Sequence, residues 1–550
     1  MKSKWKKYAL PFVVSSSLLL TACNSASSTD AKPDLSKIDT DPLGKYETPI
    51  TLTTARSTNS SFKFVEGDDH KNNMWTRYIE EKLGIKTDYK WIVDDSQYQE
   101  KLSVTIASGE IPDLLYVDQS QLSRLVKSKM TADMTEIFDK VASDQLKEIY
   151  NQDGGKALDS AKFDGKLLAI PRVSAALTDQ GYIVWIREDW LKKLNLEGPK
   201  TMDDLMKISK AFTENDPDGD GKDDTYGLAI SKDLWDGYGG ATGFFNGYHA
   251  YPNIWTKNDK GKLEYGSVQP EIKDALSALN KMYKEGQIDP EFGVKDGSKV
   301  SEDLAAGKIG IQYGKTWNPA FPLNTSHEAD GAMWKPYPIV SADSEPARPQ
   351  QSNVAFGYYA VSKDAKNPEA LIKLLNLYAE TVWGPNSEKT KDFRYDKKNQ
   401  ISTFDYGPVT VEPPLWTIEN HLDLKDAIVQ KDPSNLKWIS KDSYEAQMKY
   451  LEGDDSQWAE YMINSPEGAY SVINKYIEED LYLVNEFTGA PTKTMGKKLT
   501  TLENMWKEMA LNVIMGKQSP EDFDKFVKDW EKLGGSDMTK EVNEWKDQQK

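Results

Sequence analysis

Hydrophobic and polar positions along this chain follow two periods, and the period keeps switching. Residues 48–54 alternate and are β-branched, which predicts a strand. Met74–Leu83 is amphipathic at helical spacing and stops at Gly84. Residues 85–91 return to a strand pattern and residues 98–107 to a helix. The turn Ser108-Gly109-Glu110-Ile111-Pro112-Asp113 follows, then the short apolar run Leu114–Val117, a buried strand. Phe163-Asp164-Gly165-Lys166 has hairpin-turn chemistry, and residues 182–186 are strand-like. Residues 187–191 open a helix with acids in its first turn. Thr201 and Asp204 make a capping box for a helix running to about Glu214. Residues 356–361 predict another strand and 370–380 a helix. Beyond about residue 425 the pattern is mostly helical, with amphipathic runs at 508–513 and 522–533. Alternating strands and helices predict an α/β fold with a parallel-type sheet. Ligands of such sheets bind at the carboxyl ends of strands, where Asp118 stands directly after Val117.

The helix that ends near Glu214 delivers an acidic loop, residues 216–227. Asp216, Asp218 and Asp220 alternate, Gly221 follows, and Asp224 comes next, matching positions 1, 3, 5, 6 and 9 of an EF-hand calcium loop. Alternate carboxylates on a tight loop can converge on one hard cation, with the Lys222 carbonyl at position 7. Position 12 is Gly227 rather than a bidentate Glu, so the pattern predicts a calcium loop and not a helix–loop–helix sensor. A solvated acidic turn is the alternative.

Composition narrows the class. At 550 residues the chain holds two large lobes or several domains, and 38% hydrophobic content supplies real cores. The formal charge is −18, which argues against nucleic acid as a partner. One cysteine, Cys23, excludes an intrachain disulfide, and four histidines make a zinc site a poor expectation.

That cysteine ends a leader. Lys2, Lys4, Lys6 and Lys7 precede an apolar stretch from Leu10 to Leu20, too short to span a bilayer as a mature helix. Leu20-Thr21-Ala22-Cys23 resembles a bacterial lipobox, in which the thiol is acylated and becomes the first residue. Residues 1–22 are then a lipoprotein signal peptide and 23–46, rich in Ser, Thr, Asp and Pro, a flexible tether. Cleavage removes four lysines and no acids, which takes −18 to −22. No later stretch is apolar for about eighteen residues, so the lipid is the only expected membrane contact.

Taken together, these segments resemble the extracellular solute-binding proteins of ABC importers, family 1, and in particular their large carbohydrate-binding lipoproteins. The residues that carry the resemblance are the lipobox, the 108–113 turn, Ala169-Ile170-Pro171, Ile186-Arg187-Glu188-Asp189-Trp190-Leu191-Lys192-Lys193-Leu194, the 216–224 loop, Ala306-Gly307-Lys308-Ile309-Gly310-Ile311 and Ile514-Met515-Gly516. The resemblance implies a two-lobed periplasmic-binding-protein-like α/β fold with a hinge and a ligand cleft. One lobe is expected at 47–171 and 356–400, the other at 172–355 and 401–550. It implies an oligosaccharide ligand, permease subunits as partners, a monomer, and no catalysis. In relatives that bind alginate oligosaccharides a similar loop holds calcium. There an acid follows the last Asp, where this chain has Thr225, which implies weaker coordination.

A sugar site needs flat aromatic platforms for CH faces and carboxylates or amides for hydroxyls. Candidates are Trp317, Trp235, Trp255, Asp118, Tyr358 and Phe245, with ordinary packing the alternative for each. Trp317 follows the 309–313 strand, where the family often places an aromatic that stacks on sugar. Arg187 is expected to be structural. Catalytic motifs fail: Gly314-Lys315-Thr316 lacks the earlier glycine of a phosphate loop, and neither a Gly-x-Ser-x-Gly elbow nor a His-Glu-x-x-His motif is present. The rivals are a secreted carbohydrate-active enzyme such as a glycoside hydrolase, and a binder of peptide or another solute on the same fold.

Overall fold

The computed structural model describes residues 38–59, 62–175, 181–235, 237–351, 355–489 and 491–548. Cys23, the leader and most of the expected tether lie outside these residues. From Asp39 onward the described chain forms one compact unit.

Local signals become elements at defined caps. β1 (Ile50–Thr58) and β2 (Ile85–Asp94) pair in parallel, joined through α1 (Met74–Leu83). Asn73 and Thr76 close a capping box on α1, and Gly84 ends it at φ 71°, a left-handed conformation that glycine adopts at least cost. Then come α2 (Asp95–Ser108), β3 (Leu114–Val117), α3 (Gln119–Lys127) and β4 (Ile170–Arg172). The 108–113 turn ends at Asp113, whose carboxylate accepts from the Thr53 N–H (2.9 Å) and hydroxyl (2.6 Å) and so fastens β1 beside β3.

A second sheet forms from β5 (Ile183–Arg187), β6 (Tyr226–Leu228), β7 (Ile309–Gly314) and β8 (Trp334–Tyr337), in the order β8-β5-β7-β6. α4 (Met202–Glu214) packs on it, with the Thr201–Asp204 capping box formed. Every residue of β5 and β7 is buried, which is why both sequences are predominantly apolar rather than alternating, with Arg187 and Gln312 their polar members. The core beneath holds Trp190 edge-on to Phe212 at 5.2 Å. Arg187 is structural: its guanidinium grips the Asp189 carboxylate (2.7 and 2.9 Å) and lies over the Trp190 ring.

The chain then returns through β9 (Gly357–Val361) and α5 (Ala370–Trp383). β9 inserts between β3 and β4, antiparallel to both. Here the structure departs from the expected parallel-type sheet. β1–β2 and β6–β7 are parallel, but the crossing strand re-enters from the other sheet and runs against its neighbours. Alternation of strand and helix does not carry that direction, because β9 is paired with β3 across more than two hundred residues.

Two segments are held closely to the first sheet's side. Residues 39–46, at the end of the expected tether, are tied to α5. The fully buried Lys373 donates to Asp39 Oδ2 (2.9 Å), the Asp41 carbonyl (2.7 Å) and the Gly44 carbonyl (3.0 Å). Residues 403–410, expected in the second lobe, meet β1, α1 and β9. Trp75 Nε1 donates to the Thr403 carbonyl (3.0 Å) and the Tyr359 hydroxyl to the Thr410 carbonyl (3.0 Å). Last, α6 (Met495–Ile514) packs through Trp506 against Trp235.

Candidate ligand-binding site

Beside the crossing strand β9 lies a cavity of about 450 Å³. Three of the six expected ligand residues line it: Asp118, Trp255 and Tyr358. Their origins differ. Asp118 follows β3 and caps α3, accepting from the Gln121 N–H at 2.8 Å. Tyr358 sits in β9 opposite Val117 and Pro171, and its hydroxyl donates to Ser160 Oγ (3.0 Å). Burial pushes the Tyr358 phenol up, so it stays a neutral donor and acceptor. Trp255 is stitched in place from the C-terminal region: Asn485 Oδ1 accepts its N–H (2.9 Å), and its carbonyl accepts from Glu486.

Of the other wall residues, sequence reasoning named none, and only Glu503 carried a pattern that could have exposed it. Gln119 spans the cavity's two sides, with Nε2 donating to the Thr488 carbonyl at 2.8 Å. Its Oε1 is buried without a partner. Asn253 is fixed by Tyr265 and Ser267 hydroxyls donating to its Oδ1. Glu503 comes from α6, where Met495, Leu499 and Glu503 recur every fourth residue and face the cavity together. Burial raises the Glu503 carboxyl above its ordinary range. That i, i+4 row is the one signal that could have exposed Glu503. Aromatic faces, two carboxyls and amides in one cavity can take a hydroxyl-rich ligand by stacking and hydrogen bonds.

The remaining three expected residues are elsewhere. Trp317 is 42% exposed on the loop after β7, edge-on to Tyr238 (6.1 Å); Tyr238 is in turn edge-on to Phe321, 49% exposed. Asn318 Oδ1 accepts the Lys315 N–H (2.7 Å) and occupies the place a Cβ on Gly314 would need, so the loop folds tightly onto the strand end. Trp235 stacks on Trp506 at 5.0 Å, and Phe245 is fully buried against both rings. These two are packing residues in this arrangement.

The acidic loop converges as its spacing predicts for three of its acids. Asp216, Asp218 and Asp220 each bring an oxygen within 4.8 Å of the others. Asp216 is held by the Gly219 and Gly221 N–H groups (2.9 and 3.1 Å). Hydrogen bonding with Asp218 holds the Asp216 carboxyl low, while burial and then Asp216 push Asp218 up. Lys222 pairs with Asp220 through its side chain, and Asp224 is half-buried outside the cluster. Thr225 is 3% exposed and its hydroxyl donates to the Phe212 carbonyl (2.8 Å), so it pins the loop's exit to α4.

Two sheets bridged by a crossing strand, with a lined cavity beside it, define a two-lobed ligand-binding protein. The profile of the bacterial extracellular solute-binding proteins matches residues 71–383, and the chain belongs to that family. It is 25% identical over 477 residues to the polygalacturonan/rhamnogalacturonan-binding protein YtcQ of Bacillus subtilis (strain 168), covering 85% of this chain and 86% of that protein. In fold it is similar to an HMO-binding, ABC-transporter-associated solute-binding protein of Bifidobacterium longum infantis. The TM-score is 0.62 at 16% identity, over 92% of this chain and 99% of that one. It is also similar to the S. pneumoniae substrate-binding protein FusA, solved as an EF-hand mutant with fructo-nystose (TM-score 0.57, 17% identity, 91% and 99% covered). The family and these relatives are binding proteins rather than enzymes. Among the described residues no helix is long and apolar enough to cross a membrane.

Proposed function

We propose that this protein captures an oligosaccharide outside the cell and hands it intact to the permease of an ABC importer. The observation that carries the reading is the cavity at β9, where Asp118, Trp255, Tyr358 and Glu503 meet from four distant parts of a solute-binding chain. Relatives named as sugar binders support the ligand class. The two lobes, 47–171 with 356–400 and 172–355 with 401–550, save that Arg172 and residues 403–410 go with the first sheet, close about the crossing segments, and contacts made only on closure stabilise the bound form. Trp317 adds a stacking face. Cys23 bears the lipid that holds the protein at the outer face of the cell membrane, and the protein works as a monomer without catalysis. Calcium at Asp216, Asp218 and Asp220, with Asp224 and the Lys222 carbonyl completing the shell, ties the loop after α4. Three hard carboxylate oxygens already gathered fit that ion, and the name of the FusA EF-hand mutant supports it.

The test is calorimetric titration with a panel of oligosaccharides, followed by chromatography of the recovered sugar. Saturable binding of one sugar class with the sugar intact is expected. Cleaved products would make it an enzyme, and silence across the panel would assign the site to another solute.

A further inference from the structure

A second cavity, of about 380 Å³, shares no wall residue with the one at β9. It lies between the helix Asp144–Asn151, the end of α5, and the helices Trp416–Gln430 and Trp438–Leu451. Three indoles line it, Trp383, Trp416 and Trp438, each half-buried. Two of them are fixed through their N–H groups. Trp383 donates to the Val411 carbonyl (2.9 Å) and Trp438 to Ser387 Oγ (2.9 Å), which leaves their ring faces for other contacts. The Trp383 and Trp416 rings stand 5.5 Å apart at 43°. Gln152 ties the helix at 144 to the helix at 416, accepting the Leu415 N–H (3.0 Å) and donating to the Glu419 carboxylate (3.1 Å).

The polar part of this wall is acidic. Trp416, Glu419, Asn420 and Asp423 recur at helical spacing, so one face of their helix turns to the cavity. Glu148 and Glu388 add carboxylates from the other elements. Four acids thus line the cavity with one lysine, Lys437, and all five side chains belong to exposed residues on its rim. Among the described residues no basic group comes within 4.0 Å of any of the four carboxylates. Glu419 and Asp423, like charges one helical turn apart, repel each other, and a cation held beside them removes that repulsion. Two of the indoles already receive a cation. The Arg394 guanidinium, which does not line the cavity, sits 4.5 Å from the Trp383 ring centroid and 4.6 Å from that of Trp416. Its charge is met by Glu412, whose carboxyl is pushed up by burial and drawn down by Arg394, so the rim acids stay in surplus. Indole faces attract cations through their quadrupole, and a rim of one sign concentrates ions of the other. An uncharged sugar would make no use of that surplus.

We propose that this cavity is a second ligand site, taking a small organic cation with an ammonium head and an apolar body. The proposal goes beyond the oligosaccharide reading and does not depend on it. The measurement is calorimetric titration of the full chain with two cations, choline and phenethylamine. Each is paired with an uncharged counterpart of like shape: dimethylbutanol, in which carbon replaces the choline nitrogen, and phenethyl alcohol. At least one cation is expected to bind saturably at a single site, about tenfold or more tighter than its counterpart, the worth of a cation held on desolvated indole faces. Trp416→Leu removes a ring face, and the double variant Glu388→Gln with Asp423→Asn removes rim charge; each is expected to weaken the cation severalfold. The two acids are exposed, so the double variant keeps the fold, and melting curves check both variants. Absence of saturable binding by either cation overturns the site. Equal affinity for cation and counterpart overturns it in favour of a merely apolar pocket, and affinity unchanged in either variant places the bound cation elsewhere and overturns it too. None of these outcomes bears on sugar capture, because the cavity at β9 is untouched by the variants.

Discussion

Trp317 and Trp235 are the same residue type in similar glycine- and aromatic-rich surroundings, and the structure separates them by what covers each ring. Trp235 has Trp506 on its face, whereas the aromatic contact of Trp317 among the described residues is edge-on to Tyr238 and the ring stays 42% exposed. Removing Trp317 therefore costs little packing. Trp317→Ala is expected to leave the melting temperature unchanged and to weaken sugar affinity roughly tenfold, the value of one stacking contact. Calorimetry on the variant checks this, and undiminished affinity would remove Trp317 from the site. Glu503 makes the second residue-scale prediction. Burial raises its folded-state pKa above the ordinary 4.5, so the native chain holds that proton more tightly than the unfolded chain. Its contribution is fully favourable below about 4.5 and is lost as pH rises through the folded value. Glu503→Gln is thus expected to melt higher than the parent at neutral pH and alike near pH 4. An equal difference at both pH values would contradict this. At this scale the sequence was informative where function and position coincide. Asp118 is legible because it ends a recognisable strand. Glu503 is not, because its only mark is a helical row, and the opposite wall of its cavity is built by residues such as Asp118, Trp255 and Tyr358, more than a hundred positions away.

Elements were legible where their signals are local. The Thr201–Asp204 box, the Gly84 stop and the 163–166 hairpin turn each act within a few residues, and each formed. Strand partners were not, since pairing of β9 with β3 and β4 depends on where the chain returns from. The acidic loop lies between these cases. Its spacing gathers three carboxylates, but whether Asp224 joins depends on a backbone that Thr225 ties to α4. The proposed calcium would stabilise the folded state by linkage. Chelation of the purified protein is expected to lower its melting temperature by a few degrees, with recovery on adding calcium back. Asp216→Asn is expected to melt low already and to ignore the chelator. A melting temperature unmoved by verified metal removal would reject the site.

For the whole molecule, the alternation of elements was enough for an α/β fold, and the resemblance carried by the motifs supplied its division into two lobes. Long-range ties were beyond their reach. Lys373 anchors residues 39–46, and Trp75 and Tyr359 draw residues 403–410 to the first sheet, through side chains that carry no mark of their distant partners. Gln119 to Thr488 is a contact that spans the cavity, and the closure proposed above requires relative motion about the crossing segments beside it. Capture by closure is therefore the central claim. It is tested most directly by small-angle X-ray scattering of the protein with and without a saturating oligosaccharide that calorimetry has shown to bind. The account predicts a smaller radius of gyration in the bound state, reversed when the sugar is dialysed away. Identical scattering curves with the sugar demonstrably bound would contradict it.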